Sequence, residues 1–411
     1  MSQAALVPKL RFSEFSDDWE EKRFVDITTK ISDGIHSTPN YDEGGTYSFV
    51  NGNNLVNGVI KINSQTKKVD ENEYTTHQRP LGSNTILISI NGTIGNLALY
   101  NNEKVVLGKS ACYLNINEKD TDKLYVFNLL RTCKIKRFFN SELTGSTIKN
   151  LSLTTIKNTK LNLPTKPEQQ KIAAFLTAVD NKIEQLSKKQ ALLGSWKKGL
   201  MQQIFSQAIR FKADDGSAFP VWEEKNIVEL AKTSIGLVTS MTPYYVDKGV
   251  PLIRNNDIFQ NKIRKEKLIR LDYEFDQLNK NRRLFTNDIV TVHTGNIGAS
   301  AVIDEELNGC QGFATLNTRI KNQNEISSSF LCWYYNSTRN IKYALSMATG
   351  DGRSNYNLKD FNKATIPVPS LPEQTKIAAF LTAADNKIEQ VGKQFDESKQ
   401  FKKALLQQMF V

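Results

Sequence analysis

Several residue patterns that accompany catalysis are missing from this sequence of 411 residues. It has only four cysteines, and no two of them stand at the C-x-x-C spacing of a zinc or redox site. We therefore expect free thiols rather than disulfides. Its three histidines are scattered, without a carboxylate or a cysteine at ligand spacing, so metal catalysis has little support.

Motifs for nucleotide binding and methyl transfer are missing as well. The Gly-Lys-Ser sequence at residues 108–110 resembles the end of a phosphate-binding loop, but Glu103 stands where the first glycine of that loop is required. The chain also has no Pro-Pro dipeptide, which the target-base motif of an amine methyltransferase needs. The sequence thus shows no place for catalysis.

Long apolar segments are absent too. No run approaches the roughly 20 apolar residues that a membrane-spanning helix needs, and the first nine residues lack the charged-then-apolar pattern of a signal peptide. We therefore expect a cytoplasmic protein that does not associate with membranes. What the chain does have is a net charge of +11, spread over both halves. Such a balance favours nucleic acid or another anionic partner.

An internal repeat organises the chain. Residues 167–185 and 372–390 differ at only two of 19 positions, at an offset of 205. Weaker echoes precede both copies, because Leu10-Arg11-Phe12 is matched by residues 209–211 and Trp19-Glu20 by residues 222–223. We interpret the chain as a first domain (1–164), a central helix (165–208), a second domain (209–369) and a C-terminal helix (370–411).

The repeated segments are predicted to be long helices. Each is expected to open with a capping box, in which Thr165 pairs with Glu168 and Ser370 pairs with Glu373. Apolar residues then recur at alternating steps of four and three, the spacing of a coiled-coil seam. The predicted seam positions are Ile172, Leu176, Val179, Ile183, Leu186, Leu193, Leu200, Ile377, Leu381, Ile388, Val391, Phe395 and Leu405.

A helix with a single narrow apolar stripe needs a partner, and the other copy is the obvious candidate. Antiparallel pairing lets each helix begin at its own domain, and it relates the two domains by an approximate two-fold axis. About 40 residues at 1.5 Å each form a rod of roughly 60 Å. The alternative, in which each helix packs on its own domain, remains open.

The two domains read as mixed and mainly β. Short runs rich in Val, Ile, Thr and aromatic residues, separated by Asn, Gly and Asp turns, predict strands at 47–50, 59–62, 85–90, 97–100, 250–253 and 288–292. Single helices are predicted at 122–140 and 327–348. The predicted fold class is therefore α+β, with two mixed, mainly-β domains in pseudo-two-fold arrangement, separated by an antiparallel coiled coil of two long helices.

Polar loops around these strands are the candidates for contact with DNA, because Arg and Lys pair with guanine, Asn pairs with adenine, and Ser and Thr bind bases or phosphates. In the first domain they are His36, Ser37, Thr38, Asn51, Asn53, Asn54, Asn91, Thr93, Lys109, Ser146, Thr147 and Lys149. In the second domain they are Thr239, Ser240, Thr242, Arg254, Asn255, Asn256, His293, Thr294, Asn296, Arg353, Ser354 and Asn355. For each, an ordinary solvated turn is the competing interpretation.

Two basic stretches also require an interpretation. Residues 262–270 with Lys280, Arg282 and Arg283 form one, and residues 131–137 form the other. Each of them fits a phosphate-binding surface, a solvated face or a protein-binding surface.

With these residues in view, the chain resembles the specificity (S) subunits of Type I restriction-modification systems over essentially its whole length. The resemblance rests on the Pro-Glu-Gln…Lys-Ile-Ala helices that begin at Pro167 and Pro372. It rests also on the Leu-Arg-Phe…Trp-Glu starts of the two domains and on the Thr-Gly loop before each helix.

The resemblance implies two target recognition domains, each reading one half of a split double-stranded DNA sequence. It implies that the helices set the spacer between the halves and dock two methyltransferase (M) subunits, and through them two restriction (R) subunits. Those partners are expected to use S-adenosylmethionine, ATP and Mg²⁺, whereas this non-catalytic chain is expected to bind no cofactor directly. The family's base-contacting residues vary, so none is carried over.

Three other interpretations are considered. A fused methyltransferase or nuclease would need the catalytic motifs that the sequence lacks. A coiled-coil scaffold that binds only proteins would show no sequence preference on DNA. The specificity subunit of a related system that cuts on both sides of its site would differ only in its partners.

Overall fold

The computed structural model describes residues 7–145, 149–349 and 354–411. Contacts divide the chain into two units, one made of the residues up to 187 together with 393–411 and the other of residues 188–392. Both boundaries fall inside the long helices. Each unit therefore holds one mainly-β domain, the first half of one long helix and the second half of the other.

The first unit contains eleven strands and four short helices among its described residues. The strands are β1 (Glu20–Arg23), β2 (Thr28–Asp33), β3 (Tyr47–Val50), β4 (Leu55–Val56), β5 (Val59–Ile60), β6 (Lys68–Val69), β7 (Thr85–Ser89), β8 (Leu97–Leu99), β9 (Val105–Leu107), β10 (Ala111–Ile116) and β11 (Lys160–Leu163). The helices are α1 (Glu71–His77), α2 (Lys123–Leu130), α3 (Cys133–Ser141) and α4 (Leu153–Asn158), followed by the long helix α5 (Lys166–Phe205).

The second unit repeats this plan with one more strand. Its strands are β12 (Glu223–Asn226), β13 (Ala231–Ile235), β14 (Tyr245–Val246), β15 (Val250–Arg254), β16 (Ile258–Phe259), β17 (Lys262–Ile263), β18 (Ile269–Leu271), β19 (Ile289–Val292), β20 (Ser300–Val302), β21 (Gln311–Phe313), β22 (Thr315–Ile320) and β23 (Thr365–Val368). Its helices are α6 (Ile227–Leu230), α7 (Tyr273–Leu278), α8 (Ser328–Tyr335), α9 (Thr338–Met347), α10 (Leu358–Phe361) and the long helix α11 (Leu371–Gln408).

The sheets of the two units share one topology. A four-stranded antiparallel sheet has the order β2-β10-β7-β8 in the first unit and β13-β22-β19-β20 in the second. A second sheet joins β6, β3 and β9 in the first unit, and β14, β18, β15 and β21 in the second, with one parallel pair in each. The six strands predicted from sequence are confirmed, because β-branched residues in short runs fit this pleated, buried surface.

Two single helices predicted from sequence are each a pair of helices in the structure. The span 122–140 is divided into α2 and α3, and the span 327–348 into α8 and α9. The break falls where Thr132 and Ser337 take extended backbone angles and accept a hydrogen bond from the backbone of the next turn. A hydroxyl that caps a new helix thus overrides the helical pattern around it.

The long helices pair antiparallel within each unit. In the first unit the start of α5, with Ile172 and Leu176, shares one apolar cluster with Leu405 and Met409 near the end of α11. In the second unit the end of α5, with Leu200 and Ile204, shares a cluster with Ile377 and Leu381 at the start of α11. All thirteen predicted seam side chains are buried or half-buried. Both clusters also contain core residues of the neighbouring β domain, so each helix pair packs on its domain as well.

Two equivalent ion pairs cross the helices. Lys402 contacts Asp180 in the first unit, and Lys197 contacts Asp385 in the second, so that both residues of each pair recur at the offset of 205. Arg131 adds a second cation to Asp180 at 2.9 Å. Burial lowers the pKa of Lys402 to about 8, with its Asp180 partner opposing the shift.

The glutamate and glutamine of the Pro-Glu-Gln motif fasten each long helix to its domain. Glu168 receives two hydrogen bonds from Arg11, at 2.8 and 2.7 Å, and Glu373 receives two from Arg210, at 3.1 and 2.6 Å. The neighbouring Gln169 binds the backbone at residues 120, 122 and 164, and Gln374 makes the equivalent bonds at residues 325, 327 and 369.

These anchors correct the capping-box prediction in both helices, because the two glutamates bind an arginine of the domain instead of the helix cap. Ser370 Oγ is buried without a hydrogen-bond partner among the described residues. Glu373 instead turns to Arg210 and to the indole of Trp222, which donates at 3.0 Å. A buried carboxylate gains more from a charged, bidentate donor than from a single backbone N–H.

Across the described residues, no helix combines the length and the apolarity needed to cross a membrane.

The ion pair in the first unit should contribute more to stability than its equivalent in the second. We expect Asp180→Asn to lower the free energy of unfolding by about 1–3 kcal/mol, because it removes the carboxylate that accepts from the buried ammonium of Lys402. Asp385→Asn is the matched control and should cost less, because the Lys197 side chain is 19% exposed against 8% for Lys402. Denaturant unfolding of both variants measures the difference, and equal costs would contradict the prediction.

Candidate nucleic-acid interface

Five loops of the first domain are tied together by hydrogen bonds. The loop after β2 lies on the strand β9, because Ile35 donates to Leu107 at 2.7 Å. Gly34 is required there, since a Cβ atom would lie 2.0 Å from the Leu107 carbonyl oxygen. The loop after β7 reaches the segment that begins at Lys149, where Gly92 donates to the Lys149 carbonyl at 3.2 Å. Candidate residues distant in sequence thus share one surface.

Ser110 links the remaining loops of this surface. Its hydroxyl donates to Asn51 Oδ1 at 2.8 Å and accepts from the Gly52 N–H at 2.8 Å. Its backbone carbonyl accepts from Ile90 at 3.0 Å. The side chain of Ser110 therefore fixes the turn 51–54 against the loop after β9, and its backbone carbonyl links that loop to the one after β7.

The second domain builds the same surface with other residues. Leu237 donates to Gly312 at 2.7 Å, and Gly236 makes the same close approach to the neighbouring strand as Gly34. Asn255 accepts from the backbone N–H of His293 at 3.4 Å, and Thr294 donates to Asn355 Oδ1 at 2.6 Å. The equivalent loops therefore converge in both domains, although their side chains differ.

His293 contacts two other loops of the second surface through its backbone. Burial lowers the pKa of its imidazole below the ordinary value of 6.5, so the ring is uncharged at neutral pH. Its backbone carbonyl accepts from Tyr356 at 2.9 Å. A neutral imidazole has one donor nitrogen and one acceptor nitrogen. Nδ1 of His293 is buried without a hydrogen-bond partner among the described residues.

The predicted DNA contacts divide into exposed side chains and side chains engaged within the loops. Exposed in the first domain are His36, Ser37, Thr38, Asn53, Thr93, Lys109 and Lys149. Exposed in the second are Thr239, Ser240, Thr242, Asn256, Asn296, Ser354 and Asn355. Half-buried are Asn51, Asn54, Asn91, Arg254, Asn255, His293 and Thr294. Ser146, Thr147 and Arg353 lie outside the described residues.

The half-buried members shape the turns. Asn54 accepts from the Asn51 backbone at 3.0 Å and donates to the Lys61 carbonyl at 3.1 Å. Arg254 grips Asp257, which is 2% exposed, through Nε at 3.0 Å and Nη2 at 3.3 Å. The half-buried side chains thus hold the loops that carry the exposed side chains. Contact between any of these side chains and DNA remains a prediction.

Four of the eight cations in the basic stretch at 262–270 and 280–283 are ion-paired within the second unit. Lys265 contacts Asp304 at 2.5 Å and Glu306 at 2.6 Å, and Lys262 contacts Glu389 at 2.8 Å. Arg283 binds the buried carboxylate of Asp276. These ion pairs neutralise about half of the positive charge that the sequence shows in this stretch. In the other basic stretch, residues 131–137, Arg131 is paired with Asp180. Its remaining cations have no ion-pair partner in the described part of the chain, and they are Lys134, Lys136 and Arg137.

Comparison with known proteins identifies the family. The model of the type I restriction modification DNA specificity domain matches residues 16–193 and again residues 221–395. The chain belongs to this family. It is therefore a specificity subunit of a type I restriction-modification system, a non-catalytic component that recognises the DNA target.

The chain aligns with individual relatives over most of their length. The chain is 25% identical to the type I restriction enzyme MjaVIII specificity subunit of Methanocaldococcus jannaschii, covering 95% of this chain and 91% of that protein. It is 24% identical to the EcoBI specificity subunit of Escherichia coli, covering 84% and 76%. The crystal structure of the S subunit from M. genitalium shares the fold, with a TM-score of 0.60, 17% identity and 99% of each chain covered.

The Ser110 hydroxyl should be important for the first recognition surface. We expect Ser110→Ala to lower the free energy of unfolding by about 1–3 kcal/mol, because it leaves Asn51 Oδ1 and the Gly52 N–H without a partner. Thr93→Ala, at an exposed position of the same surface, is the control and should leave stability unchanged. Thermal unfolding measures both, and a Ser110→Ala protein as stable as the control would show that the turn does not depend on this link.

Proposed function

We propose that each recognition domain reads one half of a bipartite DNA target, with a non-specific spacer between the halves. The observation that carries the proposal is the pair of equivalent surfaces, each built from converging loops at the ends of strands. The surrounding skeleton is the same in both domains, whereas the exposed side chains differ. Two such surfaces suit two half-sites of different sequence.

We propose further that the long helices set the spacer and dock the partner subunits. Their first halves, residues 167–185 and 372–390, are nearly identical, and their anchors to the domains are the same. A partner that binds one copy can therefore bind the other in the same way. We propose two M subunits at these helices, which use S-adenosylmethionine, and two R subunits joined through them, which use ATP and Mg²⁺.

The related system that cuts on both sides of its site remains the alternative for the same chain. The identity of the co-purifying catalytic subunits distinguishes the two systems.

Exchange of one domain tests the bipartite model. Replacing residues 9–164 by the corresponding domain of another specificity subunit should change one half-site and leave the other half-site intact. The reciprocal exchange of residues 209–369 is the matched control and should change the other half. Mapping methylated adenines across the genome of a host that also expresses the M subunit gives both half-sites and the gap. A change in both halves after a single exchange would rule out separate reading.

A helix insertion tests the spacer. Inserting four residues near Ser187, about one helical turn, should lengthen the spacer while leaving both half-sites unchanged. The same insertion at the exposed turn Asp215-Gly216, outside the helices, is the control and should leave the spacer at its original length. The same methylation map reads out both variants. A spacer of unchanged length after the helix insertion would contradict this part of the proposal.

A further inference from the structure

The first domain has a pocket next to the turn 51–54 that the sequence did not indicate. It has a volume of about 250 Å³. We call it the amide pocket, and the residues that define it are Asn53, Lys61, Gln65, Lys67, Tyr41 and Phe49. It adjoins the recognition surface, because Asn51 and Asn54 of the same turn also line it. None of the residues that line it carries a carboxylate.

The walls of the amide pocket are fixed by hydrogen bonds. Lys61 donates its backbone N–H to Asn54 at 2.7 Å, and Phe49 donates to the carbonyl of Lys67 at 2.8 Å. Between these points, Thr66 Oγ1 accepts from the Asn63 backbone at 3.0 Å. The loop 61–67 is thus held at both ends and braced in the middle, which pre-organises the groups that it carries.

Three polar side chains of the pocket have no hydrogen-bond or ion-pair partner among the described residues. The amides of Asn53 and Gln65 and the ammonium of Lys61 make no side-chain hydrogen bond or ion pair within the described ranges of the chain. The ammonium of Lys67 lies 5.6 Å from the centre of the Tyr41 ring. The pocket therefore offers two amides and two cations, a set that is rich in donors.

The second domain has ion pairs at the position that is equivalent to the amide pocket. Arg254 stands at the position of Asn51, and Arg264 at the position of Lys61, because each repeats the backbone hydrogen bond of its counterpart. Both arginines turn inward to the buried Asp257, at 3.0 Å and 3.4 Å. The free ammonium of Lys61 is thus replaced in the second domain by a guanidinium that is paired with a buried carboxylate.

We propose that the amide pocket is a base-reading site of the first recognition domain, and that it takes the edge of a purine in the DNA major groove. A purine presents N7 there beside O6 of guanine or the N6 amine of adenine, which Lys and the amides of Asn and Gln match. This inference rests on the proposed function and adds to it the site and its base class. It also assigns unlike reading chemistry to the two half-sites.

The test uses the complex of this chain with its M subunits and a set of duplexes that carry every single-base change in the wild-type target. Asn53→Ala and Gln65→Ala should reduce the preference for a purine at one position of the first half-site about tenfold or more. Asn256→Ala, at the equivalent exposed position of the second domain, is the matched control and should leave the first half-site unchanged. Thermal unfolding should be the same for all three, since the side chains are exposed.

The other outcomes overturn the proposal in recognisable ways. Weaker binding to every duplex, with a shallower dependence on salt, would show that the pocket holds a phosphate. No change in either variant, or a change in both half-sites, would show that the pocket reads no base. If the wild-type complex has no sequence preference, the proposed function falls together with this inference.

Discussion

The rest of the structure depends on a salt bridge between a buried glutamate at the start of each long helix and an arginine of the neighbouring domain. Glu168 and Glu373 are 1% and 0% exposed, and an uncompensated charge at that depth would cost several kcal/mol. Arg11 and Arg210 supply the compensation through two hydrogen bonds each, and the interaction with Glu373 raises the pKa of Arg210. Because the arginine comes from the beginning of the domain and the glutamate from the helix, helix and domain are held in one arrangement.

This anchor explains which parts of the repeat are alike and which differ. The identical residues include those that make the same contact twice, such as the Glu and Gln of the Pro-Glu-Gln motif and the aspartates that pair with Lys402 and Lys197. The glycines of the close loop approach, Gly34 and Gly236, also recur because no other residue fits. Away from these contacts the sequence is free to change. The exposed loop residues have changed, as reading of different bases requires.

Much of the architecture could be predicted because its signals are local or periodic. The repeat, the helical seam and the strands from Tyr47 and Val250 follow from spacing and residue type. The partners of the basic residues could not be predicted, because Asp304 and Asp276 reach them only through the fold. Lys61 and Gln65 were missed for the same reason. They lie in an unremarkable polar loop, and only the closure of that loop onto the turn 51–54 makes them line a pocket.

The sequence by itself determined that the chain holds two copies of one plan, with helices that begin almost identically and domains that diverge. It did so because periodicity, capping and turn residues act over a few residues and leave a readable pattern. Only the tertiary structure decided which polar groups are occupied and which are free. Asn51 and Arg254 occupy one position in the repeat, yet the first leaves a pocket beside it and the second binds Asp257. Such differences depend on distances between segments far apart in the chain, which no local pattern records.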